Sequence, residues 1–126
     1  MRILLDTHAL IWAAIEPHRL SARVRDILED RGNEILVSAV SGYEIELKRD
    51  REPGLRSVPD DLERAVIARD FGWLSVSAAH AIAAGRLPRL HGDPFERLLV
   101  AQATIERASL ITVDARIAPY GAPTIW

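Results

Sequence analysis

The stretch Ile3-Leu4-Leu5-Asp6-Thr7-His8-Ala9-Leu10 decides the fold. A short apolar run ends in Asp-Thr and passes at once into a helical pattern, which sets a carboxylate at the carboxyl end of a buried strand. In open α/β sheets that edge is where sites are built. The junction recurs along the chain. Val37-Ser38 leads into a helix carrying Glu44, Ile111-Thr112-Val113 runs into Asp114, and the acids Asp93 and Glu96 open a further helix. Acids far apart in sequence that converge on one sheet edge point to a divalent cation.

Outward from that stretch, strand and helix alternate to the end of the chain. Strands are expected at residues 2–5, 34–37, 73–76 and 110–113, with 124–126 as a short last strand at the edge. Helices are expected from Thr7, over 21–31 with Ser21 as N-cap and Gly32-Asn33 as the stop, from Ser38 to about Asp50, over 59–71, over 77–85, and over 93–107. Glu52-Pro53-Gly54 breaks the pattern, and 86–92 reads as a loop. This alternation predicts an α/β protein, a three-layer α/β/α sandwich around a central parallel β-sheet. With no repeat, low-complexity tract or dividing linker, residues 1–126 are expected to form a single domain.

Composition is consistent with that frame. A chain of 126 residues, 48% hydrophobic, can bury a genuine core. The absence of cysteine removes disulfides, thiolate metal sites and cysteine nucleophiles together. The amino terminus carries an Arg and then an Asp within its apolar stretch, so it does not read as a signal peptide, and no apolar run spans a bilayer. A soluble cytoplasmic protein is the expectation. A net charge of −2 lacks the basic footprint of passive nucleic-acid binders. Lys48 is nonetheless the only lysine among 16 basic residues, and arginine offers a planar fork suited to phosphate.

Each acid also has an ordinary structural role open to it. Asp6-Thr7 can cap a helix, Asp114 can sit in a turn, and Asp93-Pro94 followed by Glu96 fits a capping box. Glu44 is harder to explain this way. A helical register places it on one face with Val40 and Leu47, with Tyr43 beside it and Glu46 projecting away, and a carboxylate among apolar neighbours demands a cation or a strong donor. Ser38 and Ser41 read as an N-cap and a surface serine. Thr7 and Thr112 are placed to orient carboxylates or waters. His8, His18, His80 and His91 show no zinc-like spacing; His8 beside Asp6 and His91 just before Asp93 could approach a site, but packing or a surface role is the expectation for each. Trp12, Trp73 and Trp126 read as core or interface aromatics.

Four blocks together resemble a known family. They are Leu4-Leu5-Asp6-Thr7-His8-Ala9-Leu10-Ile11-Trp12; Val37-Ser38-Ala39-Val40-Ser41 running into Tyr43-Glu44-Ile45 and Lys48; His91-Gly92-Asp93-Pro94-Phe95-Glu96-Arg97-Leu98-Leu99-Val100-Ala101-Gln102-Ala103; and Ile111-Thr112-Val113-Asp114. In this order, over essentially the whole chain, they resemble a PIN-domain ribonuclease, in particular the toxins of the VapC type from bacterial toxin–antitoxin pairs. The resemblance implies an acidic site for Mg²⁺ or Mn²⁺, endonucleolytic cleavage of RNA, a homodimer and a cognate antitoxin. It assigns Asp6, Glu44, Glu96 and Asp114 to the family's acidic quartet and Asp93 to an additional acid. Thr7, Ser41 and Thr112 fall at supporting hydroxyl positions. Glu96 stands where the family usually has Asp, which moves the charge by about one methylene.

The implied chemistry is in-line attack on a phosphodiester by a metal-activated water, leaving a 5′-phosphate and a 3′-hydroxyl. Arg97 and Arg116 are candidates for phosphate contacts. Two rival readings remain at this point. One is a PIN-like module that binds RNA or protein through a site weakened by Glu96. The other is an acidic phosphotransfer protein, disfavoured because His8 stands where an aspartate-nucleophile phosphatase needs a second Asp.

Overall fold

The computed structural model describes residues 1–126. Five parallel strands form one sheet in the order β3-β2-β1-β4-β5: β1 (Arg2–Leu5), β2 (Glu34–Ser38), β3 (Gly72–Leu74), β4 (Ser109–Ile111) and β5 (Thr124–Ile125). Six helices connect them: α1 (Thr7–Ile15), α2 (Ala22–Glu29), α3 (Ala39–Lys48), α4 (Leu62–Ala68), α5 (Ala78–Arg86) and α6 (Pro94–Ile105).

Strand periodicity explains the three layers. Successive side chains on a strand point to opposite faces. Ile3, Leu5, Ile35, Val37 and Ile111 accordingly join one buried cluster with Leu10 and Ala13 of α1, Val24 and Ile27 of α2, and Leu62 and Val66 of α4. Leu4, Leu36 and Leu110 join a second cluster with Val40 of α3 and Leu99, Val100 and Ala103 of α6. A sheet buried on both faces reads as continuous Val/Ile/Leu, as Ile3-Leu4-Leu5 and Ile35-Leu36-Val37 do.

Topology then places the site. β1 leads to β2 and β3 on one side, whereas β4 returns to the other side of β1. The strand order therefore reverses between β1 and β4, and it is outside the carboxyl ends at such a reversal that open α/β sheets place their sites. Leu5 pairs with Ile111 and with Val37, so Asp6, Thr112 and Ser38 follow side by side at that edge. The Asp6 N–H donates to the Ile111 carbonyl at 3.0 Å.

Several boundaries differ from the sequence expectation. β3 ends at Leu74 and β4 at Ile111, so Val76 and Val113 lie outside the sheet and are exposed. α2 stops at Glu29 because the Asp30 carboxylate turns back to accept the Gly32 N–H at 2.8 Å. α4 starts at Leu62, with Asp61 rather than Pro59-Asp60 as its cap, and ends before Asp70, whose φ of 61° is left-handed and cannot continue a helix. Short 3-10 turns at Pro17–Arg19, Pro53–Ser57 and Ala115–Tyr120 fall where no regular element was expected. None of the three is long enough to show a helical period.

Candidate active site at the carboxyl edge of the sheet

Three aspartates cap the elements that follow them. Asp6 Oδ1 accepts the Ala9 N–H at 2.7 Å, Asp93 Oδ1 accepts the Phe95 N–H at 2.9 Å, and Asp114 Oδ1 accepts the Arg116 N–H at 2.9 Å. The structural role and the candidate chemical role thus coexist: capping occupies one carboxylate oxygen and pins the group at the sheet edge. The capping box expected from Asp93 and Glu96 does not form. The Asp93 N–H donates instead to His91 Nδ1 at 3.0 Å, which leaves Glu96 free of that duty. A capping box does form at α5, between Ser77 and His80.

The two glutamates are the buried acids without a cap to make. Glu44 is only 4% exposed and Glu96 only 7%. Glu44 Oε2 accepts from Lys48 Nζ at 2.6 Å, but Glu44 Oε1 has no hydrogen-bond partner, and neither has Glu96 Oε2. A buried carboxylate oxygen without a partner is costly unless a cation completes it. The face expected for Glu44 needs correction. Leu47 and Tyr43 are exposed, at 47% and 61%, and the inward face of α3 carries Val40, Ser41, Glu44 and Ile45. Burial of Glu44 comes from α3 lying between α1 and α6, not from an apolar stripe through Leu47.

The charges of these residues act on one another. Burial, then the negative charges of Asp6, Asp93, Glu44 and Asp114, push the Glu96 carboxyl up to about 8. Burial also raises Asp6, against stabilising hydrogen bonds from the Ala9 N–H and the Thr112 hydroxyl. Asp114 goes the other way: the Arg116 guanidinium, helped by His91, holds it well below the usual carboxylate range. Arg116 Nε and Nη2 donate to Asp114 Oδ1 and Oδ2 at 3.0 and 2.9 Å. The hydrogen bond to Glu44 raises Lys48. The Thr7 hydroxyl donates to Ser41 Oγ at 3.0 Å, and Ser41, expected at the surface, is fully buried.

The structure therefore brings Asp6, Glu44, Asp93, Glu96 and Asp114 into one electrostatic neighbourhood, drawn from the ends of β1 and β4 and from α3 and α6. No three acidic or imidazole groups already close around a common point. A hollow of about 500 Å³ beside Trp73, lined by Glu46, Asp60, Asp61 and Glu63 among others, contains none of the five.

Arg97 is placed differently from its expected role. Its Nη1 donates to the Pro88 carbonyl and its Nη2 to those of Ala84 and Leu87, each at 2.9 Å, so the guanidinium ties the end of α5 and the following loop to α6 instead of standing free for phosphate. Of the residues that touch the acids, Lys48 was not singled out by sequence reasoning as a partner, and His91 was raised only through its place just before Asp93. Lys48 lies one turn after Glu44, a spacing that pairs charges on a helix. His91, expected to pack or face solvent, is buried and joins Asp93 to Asp114, with its Nε2 at 2.9 Å from Asp114 Oδ2. Tyr120, whose hydroxyl accepts the His91 N–H at 2.8 Å, left no signal because it comes from a distant 3-10 turn.

Comparison with known proteins agrees with this geometry. The chain is 29% identical over 128 residues to Ribonuclease VapC22 of Mycobacterium tuberculosis (strain ATCC 25618 / H37Rv), with 98% of each covered. Its fold matches that in the crystal structure of DNA-bound VapBC from Salmonella typhimurium with a TM-score of 0.74 at 14% identity, over 100% of this chain and 97% of the other. It matches VapBC2 from Rickettsia felis bound to a promoter DNA fragment with a TM-score of 0.70 at 16% identity, over 100% and 99%. FitAcB from Neisseria gonorrhoeae gives a TM-score of 0.68 at 17% identity, over 98% and 96%. The PIN domain model matches residues 3–122, and with the parallel sheet and its acidic carboxyl edge in place, the chain belongs to the PIN domain family.

Proposed function

We propose that this chain is a metal-dependent endoribonuclease toxin of the VapC type, a single domain that acts in the cytoplasm and is neutralised by a cognate antitoxin. The observation that carries this reading is the pair of buried, unpartnered oxygens, Glu44 Oε1 and Glu96 Oε2, on acids that repel one another and Asp6, Asp93 and Asp114 near the sheet's switch point. All-oxygen donors suit Mg²⁺ or Mn²⁺, so the residues present fit the cation. Asp6, Glu44, Asp93 and Glu96 would hold it. Asp114, whose oxygens already accept from Arg116 and His91, would join as a supporting acid.

A bound Mg²⁺ or Mn²⁺ supplies positive charge for a phosphodiester and makes a nearby water more acidic. The chain's own groups do the rest. Burial and the neighbouring acids favour a proton on the Glu96 carboxyl near neutral pH, and a bound cation would favour its ionised form. Asp6, fixed by its cap on α1, keeps its carboxylate stationary at the end of β1. The Thr7–Ser41 hydrogen bond locks α1 to α3, and with it the separation of Asp6 from Glu44. Arg116, 70% exposed in its side chain, stays available at the rim for a phosphate oxygen once its fork is shared with Asp114.

RNA as substrate is supported by the ribonuclease relative, and an antitoxin partner by the VapBC complexes that share the fold. A homodimer belongs to the same proposal. No helix is long and apolar enough to cross a membrane. The test is cleavage of a mixed transfer and ribosomal RNA pool by antitoxin-free protein, with Mg²⁺, Mn²⁺ or EDTA. Discrete fragments that require metal are expected, with Asp6→Asn slower by more than roughly 100-fold, the upper end seen for loss of mere outer support. Glu96→Asp, which keeps the charge, should retain metal-dependent cleavage. RNA binding without cleavage by either protein would favour the binding-module reading instead.

A further inference from the structure

We propose that His91 is a positioning residue that wires Asp93 and Asp114 together, held in the tautomer with its proton on Nε2. The proposal rests on the metal reading given above for the acidic cluster. Three observations carry it. His91 is 6% exposed, so its ring polar atoms are settled by protein partners and not by water. Nδ1 lies 3.0 Å from the Asp93 N–H, a donor without alternative, so Nδ1 must accept and cannot bear a proton. Nε2 lies 2.9 Å from Asp114 Oδ2, an oxygen that also accepts from Arg116 Nη2 at 2.9 Å, so the oxygen is an acceptor and Nε2 must donate.

The ring thus fixes two acids from different elements at once. Asp93 is the N-cap of α6, one turn from Glu96, and Asp114 follows β4. The linkage continues beyond the ring. The Asp114 N–H donates to Thr112 Oγ1 at 3.0 Å, and the Thr112 hydroxyl lies near enough to Asp6 to favour its charged form. One chain of hydrogen bonds, Asp93–His91–Asp114–Thr112, runs along the candidate site. The ring itself is anchored from behind, because the His91 N–H donates to the Tyr120 hydroxyl, which donates in turn to the Pro88 carbonyl at 3.1 Å. Groups that orient metal-binding side chains in this way typically govern affinity by about 10- to 100-fold.

Two amide variants separate the two nitrogens. His91→Gln places an N–H donor near the position of Nε2 and keeps the bond to Asp114, whereas His91→Asn retains only an acceptor near Nδ1. The experiment measures Mn²⁺ binding by titration calorimetry and electron paramagnetic resonance for wild type, His91→Gln and His91→Asn, together with their thermal unfolding. In the metal-free wild type, ¹⁵N resonances of the imidazole identify the tautomer. We expect a pyridine-type Nδ1 and a pyrrole-type Nε2, Mn²⁺ affinity about 10-fold or more weaker in His91→Asn, and recovery of most of that loss in His91→Gln. A proton on Nδ1, or equal affinity in all three proteins, would overturn the proposal. Wild type that binds no Mn²⁺ would overturn the metal reading instead, and the two failures are told apart because the nitrogen signature is read without metal.

Discussion

Replacing Glu96 by Gln should make the metal-free protein more stable at alkaline pH while removing its metal chemistry. The Glu96 carboxyl moves from an ordinary 4.5 to about 8 on folding, chiefly through burial and then through the four neighbouring acids. The native state therefore keeps a proton that the unfolded chain gives up, and stability falls as pH rises from about 4.5 through about 8. Each unit of separation corresponds to about 1.4 kcal/mol, so between about pH 5 and about pH 9 the wild type loses at most about 4 kcal/mol from this one group. Gln imitates the protonated acid and has no such dependence. For a chain of this length about 1 kcal/mol shifts the unfolding midpoint by about 4 °C. Thermal unfolding in EDTA across that pH range should show the variant pulling ahead of wild type by several degrees or more toward pH 9. Saturating Mn²⁺ should reverse the order, because only the wild type retains the full ligand set. Parallel pH profiles for the two proteins in EDTA, or a wild type that gains on the variant as pH rises, would refute the electrostatic reasoning.

Metal uptake should release about one proton at neutral pH, since Glu96 must ionise to bind; calorimetry in buffers of different ionisation enthalpy reads this directly, and a heat independent of buffer would contradict it. Ser41→Ala strands the buried Thr7 hydroxyl that now donates to it at 3.0 Å. A loss of about 1–3 kcal/mol in urea unfolding is expected, with cleavage reduced as α1 and α3 lose their tie. Arg97→Ala should act on stability in place of substrate affinity, because its three carbonyl acceptors lie on the segment 84–88. Faster proteolysis of that segment, with RNA affinity of the folded protein unchanged, is the expected pattern; a selective loss of RNA affinity would return Arg97 to the phosphate role.

The sheet was readable because a strand buried on both faces leaves an unbroken apolar run, as at Ile3-Leu4-Leu5 and Ile35-Leu36-Val37. The carboxyl-edge acids were readable for a related reason: the point where a strand or loop passes into a helical segment is itself a sequence signal, and Asp6 and Asp114 follow strands while Asp93 follows the loop before α6. What stayed hidden depended on partners distant along the chain. Nothing local distinguishes a capping box at Asp93 and Glu96 from its actual arrangement, in which His91 takes the Asp93 N–H. Arg97 looked like a surface cation until the loop 87–92 folded over it. Glu44 was expected to be buried for the wrong reason, since helical period alone cannot tell which side of α3 meets α1 and α6. The short 3-10 turn at 115–120 brings in Tyr120, and no period announces a segment of that length.

The account stands most directly on where a cation sits. Crystals soaked in MnCl₂ and measured for anomalous scattering should show a peak bounded by Asp6, Glu44 and Glu96, with Asp93 beside it, and the peak should vanish in Asp6→Asn crystals treated alike. No peak at saturating Mn²⁺, or one elsewhere that survives Asp6→Asn, would contradict the assignment of this edge as the metal-dependent site.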